Sequence, residues 1–216
     1  MNVKEIENCF IEIVEPKLKE KGFKYFKTKR WFHRSDKGFD YYYWFCFTRW
    51  KDCFSLNSTF FIGYGKVRAI IEQSCGIMSN NILGGSLKSI SEFRQNEWSE
   101  DFPREIKNRN DCENTAREWL CFVNRLVEPF CESISNINFL FDYTYKPIYR
   151  NQRTLLIPPN LENALNVITL AALNGKNFSE FNNIASQCES QPVFESEVYR
   201  NKLRQLINYL KLTYYN

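Results

Sequence analysis

The sequence predicts an α+β protein: an N-terminal helix on a mostly antiparallel sheet, followed by a long helix and a C-terminal helical region. Three observations carry this prediction. Val3, Ile6, Phe10, Ile13, Val14 and Leu18 recur at helical spacing. From Phe23 to Tyr64 the apolar period changes to two. From Ala116 onward the period returns to that of an amphipathic helix.

The first helix is bounded by Gly22, and Lys17, Lys19 and Lys21 place positive charge where the helix dipole favours it. Pro16 lies inside the pattern and marks a place for a kink. Phe23 to Arg34 and Phe39 to Trp50 then read as strands joined by Ser35-Asp36-Lys37-Gly38, a connection rich in turn formers. In a third strand Phe54, Leu56, Phe60, Ile62 and Tyr64 share one face, opposite Ser55, Asn57, Thr59, Phe61 and Gly63.

The stretch Tyr41-Tyr42-Tyr43-Trp44-Phe45-Cys46-Phe47 puts six rings into seven residues. Alternation sends Tyr41, Tyr43, Phe45 and Phe47 to one face and Tyr42, Trp44 and Cys46 to the other. A base-stacking platform uses two or three exposed rings beside cations. So many rings exposed at once would invite aggregation, and the stretch reads as a core strand.

Val67 to Ser74 fits either a strand or a short helix, because Val67, Ile70 and Ile71 suit both. Asn80-Asn81 and Gly84-Gly85 punctuate a loop region, after which Ile90, Phe93 and Trp98 return to the sheet. Asp111 reads as the N-cap of a helix whose stripe is Ala116, Trp119, Leu120, Val123, Leu126, Val127, Phe130 and Ile134, with Pro129 late in the pattern. The stretch Ile137 to Ile157 looks irregular and ends at Pro158-Pro159, which divides an α+β domain (1–157) from a helical region (160–216) packed on it as one unit. Within that region Leu161 to Leu173, Phe178 to Cys188 and Val198 to Tyr214 are helical, and the short connections imply antiparallel neighbours.

At 216 residues with 17% aromatics, the chain can bury a sizeable core without metals or disulfides. Its eight cysteines are dispersed with no CxxC pair, as expected of reduced, buried thiols. The N-terminus alternates charged and apolar residues, unlike a secretory leader. Val167 to Leu173 falls far short of the roughly 20 residues that span a bilayer. These features predict a soluble cytoplasmic protein with no membrane partner.

Chemistry-bearing motifs are scarce. The sequence holds no HExxH, GxSxG, Walker A or zinc-deaminase pattern. His33 is the lone histidine and sits inside a strand pattern beside Trp31 and Phe32, a structural setting, while Gly63-Tyr64-Gly65-Lys66 lacks the third glycine of a phosphate loop and reads as the end of a strand. The chain therefore reads as a non-enzyme with no cofactor and no metal.

The uneven charge points to a partner instead. Lys17 to Lys51 holds eleven Lys/Arg against Glu20, Asp36 and Asp40, a net +8, which leaves −4 for the rest of a chain whose total is +4. Lys24, Lys27, Lys29, Arg30, Trp31 and Arg34 are the candidate partner-binding residues, suited to an acidic protein surface and, alternatively, to nucleic acid. The segments Leu18-Lys19-Glu20-Lys21-Gly22-Phe23-Lys24, Trp31-Phe32-His33-Arg34 and Phe60-Phe61-Ile62-Gly63 resemble an uncharacterised bacterial family: a helix ending in GFK, an aromatic-basic strand and a strand of the form FxIxG. The likeness covers about the first 75 residues and extends to the helices from Leu161 to Cys188. It implies a bacterial immunity-type or antitoxin-like protein that binds another protein, and it assigns no functional residues.

Overall fold

The computed structural model describes residues 1–78, 82–86, 105–149 and 160–216. Helix α1 (Val3–Glu20) opens on Asn2, whose side chain accepts from the Glu5 N–H while the Glu5 carboxylate accepts from the Asn2 N–H. Two donors that a helix start leaves orphaned are thereby satisfied. Pro16 sits inside an unbroken helical span. Gly22 ends the helix at φ +83°, a conformation that only glycine adopts without penalty, and the Phe23 N–H reaches back to the Leu18 carbonyl.

The expected strand from Phe23 to Arg34 is two strands. β1 (Lys24–Phe26) and β2 (Trp31–Asp36) pair antiparallel, with Lys24 opposite His33, Tyr25 opposite Phe32 and Phe26 opposite Trp31. In one continuous strand Tyr25 and Phe32 would face opposite sides. Folded back, both turn inward with ring centroids 4.9 Å apart, and the exposed Lys27 to Arg30 makes the turn. Arg30 takes a left-handed φ of +53°, and its carbonyl accepts from the Phe45 N–H. β3 (Phe39–Arg49) and β4 (Phe54–Tyr64) follow, then helix α2 (Gly65–Cys75), which settles the segment around Val67 as helical. β5 (Leu83–Ser86) completes the order β1-β2-β3-β4-β5, and β6 (Glu105–Ile106) pairs with β4. The expected return of Ile90, Phe93 and Trp98 to the sheet lies outside the described residues.

Helix α3 (Arg109–Phe122) is capped three residues before the expected position. Asn108 is the N-cap, and Asp111 is its reciprocal partner one turn in. The helix widens into a π turn at Val123–Val127, where the Glu128 N–H reaches the Val123 carbonyl, and continues as α4 (Glu128–Ser133). Pro129, which has no N–H to give to an ordinary turn, immediately follows the wide turn.

Two compact units make up the chain. The first comprises Met1–Asp36, Asp40–Ile62 and Gly84–Glu132. Along β3, Tyr41, Tyr43, Phe45 and Phe47 are buried while Tyr42, Trp44 and Cys46 are half-buried, so one face is core and the other is partly open. Phe10 of α1 meets Phe45, Phe47 and Trp119 at centroid distances of 5.0, 5.5 and 5.5 Å. Leu56, Ile62 and Val123 are buried as well.

The second unit comprises Lys37–Phe39, Gly63–Leu83 and Ser133–Asn216. It holds α2, α5 (Ile137–Tyr149), α6 (Leu161–Leu173), α7 (Phe178–Glu189) and α8 (Glu197–Tyr214). The stretch expected to be irregular is thus largely helix α5, with Leu140, Phe141 and Thr144 on its buried side. α6 is covered all round, every residue from Asn163 to Ala172 being buried, the polar Asn163, Asn166 and Thr169 included. Lys202 of α8 donates to the Cys75 carbonyl that ends α2. The expected boundary at Pro158-Pro159 lies outside the described residues.

Candidate functional site

The residues singled out by charge do not stay together. Lys24 lies exposed on β1 opposite His33, and Lys27 is exposed in the β1–β2 turn. Lys29 is exposed too, with Nζ 4.7 Å from the centroid of the Trp31 ring. Arg30 turns toward α1 and pairs with Glu7 at 3.0 Å. Arg34 points to the core face: its Nη1 donates to Glu128 Oε2 at 3.1 Å and to the Lys21 carbonyl at 3.2 Å, and its guanidinium lies 4.6 Å from the Phe23 ring and 5.0 Å from Tyr41. Both arginines therefore serve the fold, and three lysines and Trp31 remain on the open side.

On the face opposite α1, the rings of Phe26, Trp31, His33 and Tyr42 form a continuous mosaic. Trp31 meets Tyr42 at 5.1 Å, His33 stacks on Tyr42 at 4.5 Å and 11°, and Phe26 meets His33 at 6.0 Å. Phe26 is 41% exposed, and Trp31, His33 and Tyr42 are half-buried. Trp44 lies on the same side of β3 by alternation. Sequence reasoning assigned Tyr42 to the non-core side of its strand. It missed Phe26, because the turn that brings Phe26 opposite Trp31 has no glycine or proline to announce it.

Ser35, His33 and Asp40 cluster at one end of this face. Ser35 Oγ donates to Asp40 Oδ1 at 2.6 Å, and His33 Nε2 lies 3.0 Å from the same oxygen and 3.2 Å from Ser35 Oγ. The residue types are those of a hydrolase triad, but the wiring is not. A triad needs the carboxylate on one imidazole nitrogen and the serine on the other, so that the ring can draw the serine proton. Here both partners crowd Nε2, and the serine proton goes to the carboxylate. The cluster fixes the His33 ring against Tyr42.

Beneath the sheet, Glu128 is 7% exposed and held by Arg34 and by the Tyr43 hydroxyl, which donates to Glu128 Oε1. Burial foremost, with Cys131 and Glu128 adding, pushes the Tyr43 hydroxyl well above its usual range, and burial pushes Tyr41 up to about 12. The Cys131 thiol is raised by burial and then by Glu128. These shifts all favour the protonated, inert forms. Glu128 is buried and Arg34 half-buried, and the pair acts as a staple between β2, β3 and α4.

No group of three or more metal-ligating side chains occurs among the described residues, and no described helix is long and apolar enough to cross a membrane. Comparison with protein-family models, with curated proteins and with solved structures finds no match to this chain.

Proposed function

We propose that this chain is a non-catalytic binding protein, a bacterial cytoplasmic factor of immunity or antitoxin-like kind, that docks an acidic partner protein on the open face of β1, β2 and β3. The observation that carries the reading is the ring mosaic of Phe26, Trp31, His33 and Tyr42 edged by Lys24 and Lys29. Tryptophan and tyrosine dominate the energetics of protein interfaces, and flanking lysines steer an acidic partner. The likeness of the helix-GFK and aromatic-basic segments to an immunity-type family supports the same reading.

Nucleic acid is the alternative, and the geometry weighs against it. The two arginines that would grip phosphate are committed to Glu7 and Glu128. The rings pack on one another rather than standing apart as slots for bases.

The test is affinity capture on the full chain, with and without nuclease, followed by binding measurements with the purified partner. An acidic protein retained after nuclease, whose affinity falls on combining Lys24→Glu with Lys29→Glu, supports the reading. Recovery of nucleic acid as the bound species overturns it.

A further inference from the structure

Helices α1 and α3 bring two of the eight cysteines together. Cys9 lies on α1 and Cys112 in the first turn of α3, and both are buried. Three contacts fix the register of the two helices. The Cys112 thiol donates to the Ile6 carbonyl at 3.4 Å, the Cys9 thiol reaches the Arg109 carbonyl at 4.0 Å, and Arg109 pairs with Glu12 at 3.0 Å. Ile6, Cys9 and Glu12 are spaced one turn apart on α1, as are Arg109 and Cys112 on α3. Each thiol therefore rests on the turn of the facing helix that carries the other. A hydrogen bond between the two thiols is second only to burial in raising Cys112 above the usual thiol range.

One buried thiol packs as a small hydrophobe and needs no further role. Two that meet from distant parts of the chain have a chemistry open to them. We propose that Cys9 and Cys112 form a redox latch: a small disulfide such as glutathione disulfide oxidises the two thiols to one disulfide, which fastens α1 to α3. In the first step the Cys9 thiolate attacks glutathione disulfide and releases one glutathione. In the second the Cys112 thiolate attacks the Cys9 sulfur and releases the other. The protein loses two thiol protons and two electrons, and glutathione disulfide takes up both to become two thiols. Burial sets the timing. The reacting species is the thiolate, and the packed interface excludes the oxidant, so the bond forms while α1 is undocked from α3, during folding or local opening. Once α1 docks, the same burial shields the sulfurs from reducing thiols. The bond closes a loop of about 100 residues, and closure on that scale removes much of the unfolded chain's freedom. Glu7 of α1 pairs with Arg30 in the β1–β2 turn, so fastening α1 also fixes a support of that turn. The inference is independent of what the chain binds.

The experiment equilibrates the full chain in mixtures of reduced and oxidised glutathione, caps free thiols with N-ethylmaleimide and maps the cysteine peptides by mass spectrometry. The expected result at the oxidising end is a linked peptide pair joining Cys9 to Cys112. With it comes a thermal midpoint at least about 5 °C above that of the reduced chain. Cys9→Ser and Cys112→Ser, each lacking one partner, are expected to show no such rise on oxidation. The mapping is done on the parent chain, so it decides the matter even where a serine in the core weakens the fold. The proposal is overturned if Cys9 and Cys112 stay free or carry only glutathione at the oxidising end. It is equally overturned if either pairs with another cysteine, or if the linked chain melts no higher than the reduced one.

Discussion

Removing Arg34 while Glu128 stays leaves a carboxylate 7% exposed with only the Tyr43 hydroxyl to answer it. The cost of such an orphaned charge is about 3–5 kcal/mol, far above that of a surface arginine. Arg34→Ala is therefore expected to lower unfolding free energy in urea by that amount. Combining Arg34→Met with Glu128→Gln removes both charges, keeps an acceptor for Tyr43, and is expected to recover at least half of the loss. A double variant no better than Arg34→Ala would mean that packing of the guanidinium on Phe23 and Tyr41, and not the charge, does the stabilising. Tyr41 makes a second expectation at this scale. Its hydroxyl titrates at about 12 in the folded chain against 10.0 ordinarily. An acid raised on folding stabilises fully below its unfolded value and loses that contribution as pH climbs through the folded one. Stability should decline between about pH 10 and 12, and Tyr41→Phe should make that decline shallower. An unchanged alkaline limb in the variant would show that Tyr41 is not its source.

At the scale of elements, the non-glycine residues with left-handed backbone among the described residues, Arg30 and Lys37, both lie in hairpin turns. Lys37 and Gly38 take φ values of +50° and +85°, the left-handed pair of a two-residue hairpin turn. Glycine accepts this conformation, but lysine does not, at a cost of about 1 kcal/mol. Lys37→Asn creates the Asn-Gly pair this turn prefers and is expected to raise the thermal midpoint by about 2–4 °C. No rise, measured by calorimetry, would mean that the lysine side chain offsets its own strain. The contrast between the two turns also explains what was legible beforehand. Ser35-Asp36-Lys37-Gly38 announces itself by composition, whereas Lys27-Thr28-Lys29-Arg30 does not, and so β1 and β2 read as one strand. The alternation from Tyr41 to Phe47 identified the core face because period two survives burial on that side. Helix α5 was hidden because its buried positions, Leu140, Phe141 and Thr144, are embedded among other aromatics. Asn108 was passed over for Asp111 because both are good caps, and only the reciprocal bond separates them. Glu128 was beyond sequence reasoning altogether, since nothing local announces that a glutamate in an amphipathic helix faces inward to an arginine 94 positions away.

At the scale of the whole molecule, the basic segment is less of an electrostatic footprint than its +8 suggests. Of the six residues singled out, Arg30 and Arg34 are neutralised internally by Glu7 and Glu128. Lys24, Lys27 and Lys29 are the exposed cations of this set that are not paired with a carboxylate among the described residues, whereas Arg30 is exposed but held by Glu7. A single-stranded nucleic acid bound there would release counterions from about three phosphates, and each contributes about −0.7 to the slope of log affinity against log salt. The slope for an oligothymidylate is therefore expected to be no steeper than about −2, with weak affinity at physiological salt. An acidic protein partner should behave differently. Salt should slow its association by screening Lys24, Lys27 and Lys29, while its dissociation, governed by buried rings, should change little. Stopped-flow association and dissociation at two salt concentrations separate the cases. A slope near −3.5 for the oligonucleotide would require about five phosphate contacts at about −0.7 each. That count cannot be met by the three lysines, and it would return Arg30 and Arg34 to the binding face.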